Sequence, residues 1–246
     1  MKKNLLITLM LLAGLNVEAF TLVIDAGHGG RDPGAIGKKS KEKDINLSVA
    51  MAFGQLVKKN IPTVKVLYTR SKDTFVELDE RANIANKAKA DLFISIHTNS
   101  TAAKKGPQGT ETYTLGMHRA AENLEVAKRE NSVITLENNY KQRYEGFDPK
   151  SSESYIIFEL MQDKNMEKSV KLAKLIQRQF LHNSGRKDNG VHQAGFLVLR
   201  NTSMPSALVE LGYINNAAEE TYLSSKSGQA SLARSIYNAF AAYMKK

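Results

Sequence analysis

At 246 residues the chain is long enough for one sizeable domain or two small ones, and 42% hydrophobic with 24% charged residues argues against a disordered chain. A formal charge of +10 suits a polyanionic partner. The chain has no cysteine, which excludes disulfides and an acylated lipoprotein anchor and leaves stability to a core, or to a core plus a metal.

The N-terminus reads as a leader, not as fold. Lys2-Lys3 is basic, Leu5 to Leu15 is apolar, and Val17-Glu18-Ala19 ends in a small residue. The apolar run is shorter than the ~20 residues that span a bilayer. Export with a mature chain starting at Phe20 is expected, periplasmic rather than fully secreted, with no membrane anchor. An exported chain meets little nucleic acid, so an anionic cell-wall polymer or lipid surface is the better match for its charge.

From Phe20 onward the elements alternate. Phe20–Ile24 is short, apolar and β-branched and predicts a buried strand, followed by Asp25-Ala26-Gly27-His28-Gly29-Gly30. Ile45, Val49, Phe53 and Leu56 recur at helical spacing and predict a helix over 45–59 with Asp44 as its cap. Thr63–Thr69 alternates like a strand, Leu78 to Ala88 forms an amphipathic helix, and Asp91–Ile96 is an apolar strand running into His97. A strand over Gly109–Leu115 and a polar helix over 118–130 follow. The stretch 131–154 has little periodicity, and a connection of more than ~15 residues inside a domain is usually functional or mobile. A helical region over 155–180, a loop over 183–190, strands over 195–199 and 207–209, a helix start at Asn216 and a terminal helix over 228–244 complete the reading. The order predicts a single α/β domain over 20–246, a mostly parallel twisted sheet of about six strands with helices on both faces. It leaves no room for wall-targeting repeats, and a monomer is the default.

His28 follows the first strand, His97 the third, and Glu210 a late one. In a parallel sheet these carboxyl ends share one edge, so distant residues converge. Two imidazoles and a carboxylate leave catalytic zinc an open position. Glu42 would serve as that carboxylate, although in its Lys-rich loop it reads by itself as a solvated charge. Glu210, a carboxylate inside the apolar run Val209-Glu210-Leu211, demands a cation or proton nearby.

Four motifs in register then carry a specific resemblance. Val23–Gly30, Glu42-Lys43-Asp44, Ile94–Asn99 and Val209–Tyr213 resemble the motif set of the zinc-dependent N-acetylmuramoyl-L-alanine amidases, of the type that separates daughter cells. Leu78 with Arg81, Ala90–Phe93 and Gln193–Phe196 match as well, so the likeness spans 20–244. It implies one zinc on His28, Glu42 and His97, with Glu210 as the catalytic base. The implied reaction is hydrolysis of the amide between the lactyl group of N-acetylmuramic acid and L-alanine of the peptidoglycan stem peptide. Asn99 is expected to hydrogen-bond substrate or orient His97, and Asp25 to do the same for His28, unless each merely shapes its turn. The segment 131–154 falls where some relatives hold a helix over the zinc until a protein activator removes it. Glu137 or Glu145 would then fill the open position; the other reading is a tolerated surface insertion. A zinc peptidase acting on the stem peptide and a non-catalytic peptidoglycan-binding module are the rival functions.

Overall fold

Thr21–Ala26 is buried at every position, as befits a strand covered on both faces. In the computed structural model, which describes residues 19–103, 106–160 and 164–245, this is strand β1. Apart from Ala19, the leader expected at 1–19 lies outside the described residues. Next come α1 (Glu42–Asn60), β2 (Lys65–Tyr68), α2 (Leu78–Lys87), β3 (Leu92–Asn99), β4 (Thr110–Leu115) and α3 (Ala121–Asn131). A 3₁₀ turn (Ser132–Leu136), α4 (Tyr140–Arg143), a second 3₁₀ turn (Ser152–Ile156) and α5 (Ile157–Leu160) follow. The chain closes with α6 (Met166–Ser184), β5 (Asp188–Ala194), α7 (Leu197–Arg200), β6 (Ser206–Tyr213), α8 (Ala217–Ser224) and α9 (Lys226–Met244).

The six strands form one sheet in the order β2-β1-β3-β6-β4-β5. Every neighbouring pair is parallel except β4 and β6. Strand alternation splits the core in two. Leu22 and Ile24 join α1, α6 and α9 on one face, while Val23, Phe93 and Leu208 join α2, α3 and α7 on the other. The α/β sheet with helices on both faces is as expected. No helix among the described residues is long and apolar enough to cross a membrane.

Several boundaries differ from the sequence reading. Helix α1 begins at Glu42, not at 45, and Lys41 holds its cap position without a side-chain bond, so Asp44 is not the cap. Both β3 and β6 run past their apolar cores, which places His97 and Glu210 inside strands, directly paired across the sheet. The strand expected at 195–199 is instead largely the helical turn α7, and strand β5 begins within the loop expected at 183–190. An apolar run as short as Phe196–Leu199 cannot separate strand from helix by period. Strand β5 is a half-buried sheet edge, so it shows no apolar alternation. The 131–154 stretch, read as irregular, contains short helical turns. Val133, Ile134, Tyr144 and Phe147 anchor it to the second core. Asn216 caps α8 as expected, accepting from the amides of Ala218 and Glu219.

Phe53, fully buried on α1, meets the ring of Phe240 on α9 edge-on at 6.2 Å. Phe53→Ala should therefore cost about 3–5 kcal/mol, read as a lower urea midpoint at unchanged slope.

Candidate metal centre

The turn after β1 brings His28 to the sheet's carboxyl edge in a conformation few residues adopt, with φ 62°. Two arginines hold that backbone. Arg81 donates to the carbonyls of Ala26 (2.8 Å) and His28 (2.9 Å), and Arg70 to those of Ala26 (2.8 Å) and Gly27 (2.9 Å). Gly27 is required by close approach, since a Cβ there would lie 2.3 Å from the His97 ring.

Asp25 does not touch His28. Its carboxylate accepts from Thr69 (2.5 Å), Ser95 (2.6 Å) and Arg81 (2.8 Å) and ties three elements together beneath the turn. Burial works to raise its pKa, but Arg81 and the two hydroxyls outweigh burial and hold it below the usual range. The residue that orients His28 is Asp32, whose Oδ2 lies 2.7 Å from Nδ1. That contact leaves Nε2 facing the cluster, the arrangement of a carboxylate–histidine–metal triad.

Glu42 stands in the first turn of α1 and is buried, not solvated. Its Oε1 accepts from Thr98 N (2.8 Å) and Asn46 Nδ2 (3.2 Å), its Oε2 from Ala35 N (2.8 Å). His97 completes the expected trio from within β3. A fourth group that sequence reasoning missed joins them: Glu130, near the end of α3, is buried and reaches both imidazoles.

Four ligand atoms crowd together, all within 4.8 Å of one another. His28 Nε2 lies 3.1 Å from Glu42 Oε1 and 3.0 Å from Glu130 Oε2; His97 Nδ1 lies 3.2 and 2.9 Å from the same atoms. A tetrahedral zinc with bonds of about 2.0–2.1 Å would place its ligands roughly 3.3 Å apart. His97 Nδ1, though this close to two carboxylates, makes no hydrogen bond of acceptable geometry. Protons respond to the same need for positive charge. Burial opposes the charged form of His97, yet Glu130 and Glu42 lift its pKa to about 9. His28 is raised too, against burial, chiefly by Glu42. This chain therefore holds a donor set of two imidazoles and two carboxylates fitted to a metal ion.

Glu210 lies beside the cluster, buried, with neither oxygen hydrogen-bonded among the described residues. Burial first, then the Glu130 carboxylate, pushes its pKa well above the usual carboxylate range. The nearest cation is Arg129, whose Nη2 lies 3.7 Å from Glu210 Oε1. Arg129 also pairs with Glu130 and donates to the carbonyl of Ser100.

The other expected residues do not join the centre. Asn99 donates to Glu111 (3.1 Å) and orients neither histidine. Glu137 accepts from Leu78 N (2.9 Å) and Tyr144 OH (2.8 Å), anchoring its own segment to the start of α2. Glu145 is an exposed carboxylate 3.8 Å from Arg200. Neither Glu137 nor Glu145 fills the fourth position, which Glu130 takes. A signal for Glu130 existed in the sequence. Asn123, Val126, Ala127, Glu130 and Asn131 share one buried helical face, and a glutamate at such a position demands a partner.

A family described as N-acetylmuramoyl-L-alanine amidase matches residues 22–242. AmiC of Escherichia coli O6:H1, an N-acetylmuramoyl-L-alanine amidase, is 32% identical over 228 residues. The alignment covers 90% of this chain and 52% of AmiC, so the chain spans about half that relative's length. The catalytic domain of CwlV, the amidase of Bacillus (Paenibacillus) polymyxa var. colistinus, superposes with a TM-score of 0.66 at 30% identity, covering 92% of this chain and 98% of the domain. The CwlD amidase of Clostridioides difficile, solved in complex with the GerS lipoprotein, shares the fold with a TM-score of 0.67 at 23% identity, covering 92% and 98% of the two chains.

Removing the arginine beneath the turn should be costly. Arg81→Ala leaves Asp25 buried without its cation and is expected to lose about 3–5 kcal/mol of stability. Glu145→Ala, at an exposed position, should stay within roughly 0.5 kcal/mol. Chemical denaturation of the two variants checks the contrast.

Proposed function

Because this chain belongs to the N-acetylmuramoyl-L-alanine amidase family, we propose that it is a zinc-dependent peptidoglycan hydrolase. It cuts the amide between the lactyl group of N-acetylmuramic acid and L-alanine of the stem peptide. The observation that carries this is the buried Glu210, neither of whose oxygens is hydrogen-bonded among the described residues, beside the four-ligand cluster. His28, Glu42 and His97 are the resident zinc ligands. Bound there, zinc supplies Lewis acidity that polarises a carbonyl and brings the pKa of water to about 7.

The remaining chemistry falls to side chains. Glu210, a buried carboxylate beside the cluster, takes the proton of the attacking water. It delivers that proton to the amide nitrogen as the C–N bond breaks, so the peptide leaves as an amine and the lactyl group as a carboxylate. Asp32 fixes the tautomer of His28, and the Thr98 and Ala35 amides hold Glu42 at its angle.

As it stands, the centre is shut. Glu130 takes the position a substrate carbonyl needs, and Arg129 lies against the base. Helix α3 and the segment after it therefore act as a lid. It is held by Asn131, which bonds Gly195 O and Leu197 N, and by Arg31, which bonds Leu136 O. A protein activator that displaces α3 is the implied partner. The chain acts as an exported, periplasmic monomer, and its basic charge favours the anionic wall.

Mass analysis of muropeptides released from isolated sacculi, with and without a chelator, tests the reaction. Free stem peptides and peptide-free glycan are expected, and chelation should abolish both; fragments cut within the stem would mean a peptidase instead. Glu210→Ala should keep zinc and lose about 10²–10⁴-fold in rate. His97→Ala should lose zinc and activity together. Glu130→Ala should release peptides at least about tenfold faster than the parent chain, because the open position no longer has to be cleared. An unchanged rate would refute the lid.

A further inference from the structure

Two cavities flank the end of α3, and Arg129 and Ser100 line both. The smaller, about 390 Å³, opens onto His28, Glu42 and Glu130. The larger, about 800 Å³, lies between α3 and the ends of β3, β4 and β6, and none of the metal ligands lines it. Its wall is partly apolar, with Pro107, Ala121 and Val126, and of its three carboxylates, Glu111, Glu122 and Glu125, Glu111 is the one held by three hydrogen bonds.

Glu111 is held with care. Its Oε1 accepts from Tyr213 OH (2.6 Å), its Oε2 from Tyr113 OH (2.8 Å) and Asn99 Nδ2 (3.1 Å). All three donors are neutral, so they fix the carboxylate without cancelling its charge. No cation pairs with it among the described residues, and Oε1 keeps one acceptor direction open. Glu111 is also the direct cross-strand partner of Glu210 in the β4–β6 register. Opposed residues share a sheet face with Cβ atoms about 4.5–5.5 Å apart.

We propose that the larger cavity receives the leaving stem peptide and that Glu111 is the counter-ion of its newly formed N-terminal ammonium. The proposal rests on the amidase reading and adds a subsite to it. Hydrolysis adds water across the C–N bond. The carbonyl carbon gains the oxygen, and the nitrogen gains the proton carried by Glu210 and, at neutral pH, a further one from solvent. The nitrogen is thus neutral in the substrate amide and positive in the product. A fixed anion beside the base favours this nitrogen only as it acquires protons, which is differential binding along the reaction. The apolar wall accepts the alanine methyl, and the lactyl side of the substrate then falls toward the smaller cavity.

The test is calorimetric titration of the full-length chain with synthetic L-alanyl-γ-D-glutamate, free or N-acetylated. Both cavities are open with α3 in place, so activation is not required. The free-amine peptide should bind at least about tenfold tighter than the acetylated one, and Glu111→Gln should reduce the difference below about twofold. Should that variant not fold, the side-chain amide signal of Asn99, which reports on Glu111, should shift with the free peptide and not with its acetylated form. Equal affinity for the two peptides, a folded Glu111→Gln variant that keeps the preference, or an Asn99 signal indifferent to the amine would each overturn the subsite. Failure of the amidase reading would show separately, as sacculi that release no peptides.

Discussion

Three carboxylates and two imidazoles share one buried space, and this concentration of charge governs the site. Glu42, Glu130 and Glu210 are each almost wholly removed from water, with only Arg129 as a permanent cation among them. Such a group of like charges is tolerable only if positive charge is supplied. Protons meet part of the need, which is why both histidines hold theirs more tightly than usual. A divalent ion meets it better, because four donor atoms already lie within 4.8 Å of one another. Much of the surrounding structure holds this arrangement in place. Arg81 and Arg70 grip the turn that carries His28, Asp25 ties that turn to β3, and the register between β3 and β6 sets His97 against Glu210.

Helix α3 is as much a part of the centre as the sheet is. Its two consecutive charged residues serve both halves, the anion Glu130 facing the ligands and the cation Arg129 facing the base. The helix also divides the space above the sheet into two cavities. Charge complementarity joins the two halves, since Glu130 meets both imidazoles and Arg129 lies beside Glu210.

Much of this was legible in the sequence, for identifiable reasons. Strand–helix alternation declared the sheet, and strand ends bearing His28, His97 and Glu210 declared its functional edge. Glu42 was legible only through family likeness. Its position inside the first helical turn, where amides of Thr98 and Ala35 hold it, comes from chain segments distant in sequence. Asp32 was passed over because a short loop acidic residue looks like any other turn residue. Glu130 lies one residue before the irregular stretch, on a helix that reads as polar, so its place beside the histidines is set by chain segments distant in sequence. The edge strand β5 and turn α7 were not legible because a polar edge has no period and a four-residue apolar run has no unique one.

The central claim is that His28, Glu42 and His97 hold zinc and that Glu130 closes the shell. X-ray absorption spectroscopy on the zinc-loaded chain tests it most directly. The account predicts one zinc per chain with about four nitrogen or oxygen neighbours at roughly 2.0–2.1 Å, and scattering from two imidazoles. In Glu130→Ala both imidazoles should remain while one carboxylate is lost. A shell with fewer than two imidazoles in either protein would contradict it.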